Sequence, residues 1–138
     1  MYDKLGQTVI VVFKDCARFG VLDDAKQMEE VFEQACFLAG AQVLNSSREQ
    51  FFRGEWWTEK VNDGASVTIT LAESHAFGHS WPRKGMLVCN IHTCGGIDPM
   101  KIVEQIAFSV GALCFKCKKI DLDALAEDVD VPWVSGDS

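Results

Sequence analysis

Apolar positions along this chain repeat with two periods, and the switches between them mark out the elements. "QTVIVVFKD" (7–15) is β-branched and almost continuously apolar, which predicts a buried strand. Residues 22–41, "LDDAKQMEEVFEQACFLAGA", change to a helical stripe of Met28, Val31, Phe32, Ala35, Phe37, Leu38 and Ala39. Asp23 or Asp24 is placed to cap that helix, and Gly40 to end it. "AQVLNS" predicts a short second strand. In "ASVTITLAE" (65–73), Val67, Ile69 and Leu71 alternate with Ser66, Thr68 and Thr70, the pattern of a half-buried strand in an antiparallel sheet. "MLVCNIHT" (86–93) predicts another strand. Asp98 followed by Pro99 opens a helix carrying Ile102, Ile106 and Val110, and "ALCFKCKKIDL" (112–122) predicts the last strand. Beyond it comes an acidic tail, 121–138, with a short helix candidate and a frayed "PWVSGDS".

Two stretches keep neither period. Residues 46–64 are polar with four large aromatics, Phe51, Phe52, Trp56 and Trp57, and read as a hairpin or an ordered loop with a turn at "NDG" (62–64). Residues 75–85, "HAFGHSWPRKG", read as a loop because Gly78 and Pro82 punctuate them. The resulting order is β-α-β-(loop)-β-β-α-β, about five strands and two helices in one domain. It predicts an α+β two-layer sandwich, a mainly antiparallel sheet with both helices on one face. The other face is then free to meet a second copy, which predicts a homodimer.

Composition narrows the partners. The chain has 138 residues, 48% of them apolar, enough to build a core at this length. A net charge of −7 with no basic patch argues against nucleic acid. No apolar run approaches the ~18 residues of a membrane span, and the N-terminus has no charged region leading into an apolar one, so no membrane is expected and the cytosol is the expected location. In that reducing compartment the six cysteines are thiols. Cys16, Cys36 and Cys89 sit among apolar neighbours and read as packing. Cys114 and Cys117 form a lone Cys-x-x-Cys without the second pair a structural zinc needs, and on a strand they face opposite sides.

One segment, "LAESHAFGHSWPRKGMLVCNIHTCGG" (71–96), holds every histidine of the chain and two of its cysteines. His75 and His79 are four apart, but Gly78 and Pro82 argue against a shared helix face, and no metal is expected. Ser74 stands at a strand end with a histidine in folding-back range, yet no G-x-S-x-G elbow is present. Taken singly, Ser74 is a turn serine, Ser66 a strand serine, His79 a loop histidine and Cys94 a buried thiol.

Their joint spacing says more. "ESH", a histidine five after the serine, "WP", a cysteine twenty after in "TCG", and a serine eight before together resemble the prokaryotic S-adenosylmethionine decarboxylases, with the likeness running over residues 5–120. The resemblance implies a proenzyme that cuts itself between Glu73 and Ser74 into a β chain, 1–73, and an α chain, 74–138. Ser74 becomes a pyruvoyl cofactor that forms a Schiff base with the substrate. His79 and Ser66 serve the processing, Glu73 supplies the cleaved carbonyl, and Cys94 is the proton donor of turnover. An even separation predicts Ser66 and Ser74 on one side of a regular strand. The product implied is decarboxylated S-adenosylmethionine for spermidine biosynthesis, made by a homodimer of αβ protomers.

The chain departs from that family at one site in particular. Where the family has "WPE", with a glutamate expected to hold ribose hydroxyls, this chain has Arg83, a cation that grips carboxylates instead. In the opening strand, Thr8 and Val12 stand where the family has a histidine and an acid. Phe51, Phe52, Trp56 and Trp57 either stack an adenine or face a sulfonium, or simply cover the sheet. These changes leave open a pyruvoyl-dependent ornithine or arginine decarboxylase, or a non-catalytic homologue.

Overall fold

A computed structural model describes residues 4–136. In β1 (Gln7–Cys16), Val9, Val11 and Phe13 are completely buried, while Ile10 on the alternate face is 44% exposed. The strand is therefore buried on one face only. The same split runs across the whole sheet. Ala65, Val67, Ile69 and Leu71 of β3 (Val61–Leu71), Ala76 of β4 (Ser74–Trp81), and Leu87, Cys89 and Ile91 of β5 (Met86–Thr93) join β1 in one core. Two helices cover that face, α2 (Ala25–Leu38) through Met28, Phe32, Ala35 and Cys36, and α3 (Pro99–Val110) through Ile102, Val103, Ile106 and Val110. Among the described residues no helical layer covers the middle of the opposite face, and the helix Leu122–Glu127 with the segment after it lies near its His92 end.

The sheet has six strands in the order β2-β3-β4-β5-β1-β6, every neighbouring pair antiparallel, with β2 (Val43–Arg53) and β6 (Ala112–Asp121) at the edges. The α+β sandwich is as the sequence predicts, with one strand more. The first expected helix is divided. Asp24 takes an extended conformation (φ −117°) between α1 (Phe19–Asp23) and α2, and its carboxylate accepts from the Lys26 and Gln27 backbone N–H groups. Those bonds, Gln27's foremost, lower its pKa, and such a cap contributes about 1 kcal/mol. Asp98 caps α3 in the same way, accepting from Met100 N at 3.0 Å. A short α4 (Leu122–Glu127) follows β6.

Of the two stretches without a period, 46–64 forms a hairpin, one of its two expected readings, and 75–81, read as a loop, is strand. Residues 46–53 continue β2, whose composition is polar because it is an edge strand exposed along most of its length. The hairpin turn lies at 54–60, not at "NDG". Gln50 pairs with Ala65 and Phe52 with Asn62, so Asp63 and Gly64 together oppose Phe51 in a bulge. Gly64 has φ +99°, and a Cβ there would come within 2.7 Å of the Ser80 carbonyl oxygen. The glycine marks a close approach inside the sheet rather than a turn. Residues 75–81 belong to β4. Gly78 is compatible with the strand because the Phe32 ring of α2 lies directly over it, where a Cβ would collide. Pro82 opens a single 3-10 turn, Pro82–Lys84, after the strand has ended.

Candidate active site

Leu71 pairs with Ser74, so Ala72 and Glu73 are the whole link between β3 and β4. A link this short requires unusual backbone angles, and Glu73 adopts φ +63°, a left-handed conformation that costs a non-glycine residue about 1 kcal/mol. The register between β4 and β5, His75 with His92, carries on past the strand ends to set Cys94 opposite Glu73. Cys94 Sγ stands 2.6 Å from the Glu73 carbonyl oxygen as its donor. Gly6 makes this closure possible. At φ +92° it lies against Thr93 and Cys94, and its missing Cβ would strike both.

Cys94 is 8% exposed. Burial first, and then the Glu73 carboxylate, raise its thiol pKa, so it remains a protonated S–H donor at neutral pH. Ser74 is half-buried, with its hydroxyl 3.5 Å from the Ala72 carbonyl oxygen, a weak contact that leaves it free to turn. A cavity of about 470 Å3 opens here, lined by Gln42, Leu71, Glu73, Ser74, Cys94 and Ile97 among others.

Ser66 and His79 form a second pair. They face each other across β3 and β4 on the uncovered side of the sheet, with Ser66 Oγ 2.7 Å from His79 Nδ1. Phe51 and Trp81 flank the imidazole, with ring centres 5.3 and 4.3 Å away. Ser74 and His79 are five residues apart on one strand, roughly 16 Å, and an odd separation turns them to opposite faces. The expected shared side for Ser66 and Ser74 fails because the chain reverses at Ala72–Glu73 before it reaches Ser74.

His75 stacks on Phe77 at 4.5 Å and on His92 at 5.2 Å. Burial, then the neighbouring His92, lower the His75 pKa. Arg83 grips Asp63 with two bonds, Nε to Oδ1 at 3.2 Å and Nη2 to Oδ2 at 3.0 Å. Of the four loop aromatics only Phe51 reaches His79. Phe52, Trp56 and Trp57 are exposed near the hairpin tip, the two tryptophans edge-on to each other. Cys16, Cys36 and Cys89 are buried, Cys114 and Cys117 exposed, and all six cysteines are free thiols. Among the described residues no cluster of three His, Cys, Asp or Glu side chains is placed to hold a metal ion.

Similarity to known proteins follows the same segments. The profile of the S-adenosylmethionine decarboxylase family matches residues 7–122. The chain belongs to the S-adenosylmethionine decarboxylase family. Among its relatives, an S-adenosylmethionine decarboxylase proenzyme of Carboxydothermus hydrogenoformans is 28% identical over 125 residues, covering 90% of this chain and 91% of that one. Another, from Fervidobacterium nodosum, is 32% identical, covering 83% of this chain and 74% of the relative. The crystal structure of the adenosylmethionine decarboxylase of Aquifex aeolicus superposes with a TM-score of 0.70 at 20% identity, over 86% of this chain and 90% of that one, and shows the shared fold.

Within this family member, sequence reasoning missed Gly6 and Asp63. A glycine just before the first strand was the only signal for the first. "Asp-Gly" has the composition of a turn, but "NDG" runs directly into the alternating strand 65–71, and a bulge has the same composition.

Proposed function

We propose that this chain is a self-cleaving proenzyme that becomes a pyruvoyl-dependent decarboxylase of S-adenosylmethionine. One observation carries the reading: a protonated, buried thiol donates to the carbonyl of a backbone-strained glutamate whose next residue is a serine. Cys94 polarises the Glu73 carbonyl and offsets the negative charge that forms on its oxygen when Ser74 Oγ attacks. The Glu73–Ser74 C–N bond breaks and an ester takes its place. Loss of the Ser74 Cα proton to a base then expels the Glu73 carboxylate. Hydrolysis releases ammonia and leaves a ketone at the new N-terminus of chain 74–138, with 1–73 ending in a free carboxylate.

The residues present fit that group. Ser74 already lines a cavity with a proton donor beside it. The pyruvoyl ketone, once formed, supplies an electron sink for loss of CO2 from an amino acid. Around it Cys94 holds the proton that the decarboxylated carbon receives, and the cavity walls exclude bulk water. The product assigned by this reading is decarboxylated S-adenosylmethionine, the precursor for spermidine biosynthesis.

The separation of the two pairs supports a site shared between protomers. Ser66 and His79 sit on the uncovered face, where Ile10, Phe77 and Trp81 are each more than 40% exposed. A homodimer of αβ protomers that buries this face brings the Ser66–His79 pair of one copy toward the Ser74–Cys94 end of the other. His79 is then the processing base in trans, with Ser66 fixing its ring through Nδ1. Six free thiols suit a reducing compartment, the cytosol. No described helix is long and apolar enough to cross a membrane.

Intact-mass measurement after incubation tests the reading, with Ser74→Ala as control. Fragments 1–73 and 74–138 are expected from the wild type and none from the variant. A wild-type chain that stays whole overturns it. Release of labelled CO2 from S-adenosylmethionine, compared with ornithine and arginine, tests the substrate.

A further inference from the structure

Cys94 stands one residue beyond β5, where the ladder with β1 has ended at the Gln7–Thr93 pair and two glycines follow. The ladder brings the thiol to the Glu73 carbonyl but stops short of it, so what keeps it there lies beside it. Its neighbour on the β1 side is Gly6. The two are packed so closely that a Cβ on Gly6 would lie 2.8 Å from Cys94 Cα and 2.9 Å from Cys94 Cβ.

Gly6 is itself held from the far end of the chain. Asp123, in α4, accepts from Leu5 N at 2.9 Å through Oδ1 and from Gly6 N at 3.2 Å through Oδ2. Leu122 N donates to the Gly6 carbonyl oxygen at 2.9 Å. Asp121 Oδ1 accepts from the Asp123 and Ala124 N–H groups at 3.0 and 3.1 Å, which fixes the start of α4. Backbone bonds, the one from Leu5 foremost, lower the Asp123 pKa, so the carboxylate is ionised at neutral pH. A glycine loses more conformational freedom on ordering than any other residue, and a segment built on one needs such a hold.

From this relay we infer that Asp123 is a positioning residue for Cys94: by clamping the Leu5–Gly6 backbone it holds the thiol against the Glu73 carbonyl. Asp123 touches none of the reacting atoms. It lies one residue past the segment that the family profile matches. Leu5 and Gly6 fall in 1–73, Asp123 and Cys94 in 74–138, so the clamp outlasts a cut between the pieces. The inference rests on the proposed self-cleavage for what Cys94 does, and not for how it is held. Without the clamp the Leu5–Gly6 segment withdraws and water enters beside the thiol. The charged groups around Cys94 are Glu73 across the site, and Lys4, Asp121 and Asp123 around the small adjoining pocket of Gly6 and Thr93. Glu73 is the one whose charge raises the thiol pKa, so loss of Asp123 acts through burial.

Two readouts test this: time-resolved intact mass for cleavage, and alkylation of Cys94 by iodoacetamide against pH, read by peptide mass in the uncut Ser74→Ala chain. Asp123→Ala is expected to slow cleavage about tenfold, less than removal of the donor itself. In a Cys94→Ala chain the same change is expected to slow it no further, because Asp123 acts through the thiol. In the Ser74→Ala chain it is expected to move the midpoint of Cys94 alkylation down toward the ordinary thiol value. Asp123→Asn keeps an acceptor without the charge and is expected to fall between wild type and Asp123→Ala. Asp24→Ala removes the α2 cap, at the helix end away from Gly40 and the Ser74 cavity, and is expected to lower resistance to urea while moving neither readout. An unchanged alkylation midpoint in Asp123→Ala, an equal slowing in the Cys94→Ala chain, an Asp123→Asn variant identical to Asp123→Ala, or the same shift from Asp24→Ala each overturns the inference. A wild type that stays uncut sinks the self-cleavage alone, since the alkylation midpoint still decides whether Asp123 holds the thiol.

Discussion

The proposed chemistry rests on two clusters in this chain, and they are built on opposite principles. The Glu73–Ser74–Cys94 end is made of backbone. A two-residue link, one left-handed glutamate and a glycine without a Cβ bring a thiol against a carbonyl. The Ser66–His79 pair is made of side chains on a regular ladder, flanked by two tilted aromatic rings on the open face of the sheet. The first is strained and enclosed, the second relaxed and open. A strained carbonyl suits a reaction that happens once. An open pair suits a group that must reach something outside its own protomer.

The sharpest test of that contrast is complementation. Ser74→Ala and His79→Ala are each expected to abolish cleavage alone. Co-expressed with different tags, they are expected to yield fragments from the His79→Ala chain, because its Ser74 meets the intact His79 of the other copy. Absence of fragments in the mixture, read by mass, would place both clusters in one protomer and break the comparison. Next in size is Cys94→Ala, expected to slow cleavage about a hundredfold through loss of the donor to the Glu73 oxygen, as followed by time-resolved mass spectra. Because burial raises the Cys94 pKa, the wild-type rate should hold as pH passes the ordinary thiol range and fall only above it.

Gly78→Ala addresses the strand that joins the clusters. Its new methyl would enter the Phe32 ring and is expected to destabilise the fold by about 1–3 kcal/mol, measured by urea unfolding. The smallest effect concerns the open face. The His75 pKa is lowered in the folded state, so its contribution to stability is present above the ordinary histidine pKa and lost as pH falls through the lowered value. Stability should drop on acidification below about pH 6, and His75→Phe should blunt the drop. An unchanged pH dependence in that variant would remove His75 as its source.

Legibility in the sequence followed local cause. α3 was readable because Asp98, Pro99 and the Ile102–Ile106–Val110 stripe act within their own helix. β4 was not, because Gly78 answers to Phe32, more than forty residues earlier in the chain. The start of β2 was readable in "AQVLNS", but its length beyond Ser46 was hidden by its place at the edge, where polar side chains meet water and alternation fades. At the site, the spacing of Ser66, Ser74, His79 and Cys94 was visible. That they divide into two pairs depends on strand parity and on a reversal at Ala72–Glu73, which only the register reveals. Arg83 is legible as a cation able to grip a carboxylate. That its partner is Asp63 depended on a bulge that sequence spacing disguises as a turn.

The strand order has a consequence for what a cut at Glu73–Ser74 leaves behind. Strands β1 to β3 belong to one piece and β4 to β6 to the other, yet β1 is threaded between β5 and β6. The pieces are interwoven, held along both edges of β1 and along the seam of β3 with β4. Such a break is chemically permanent and mechanically silent, turning one polypeptide into two without giving either a way to leave.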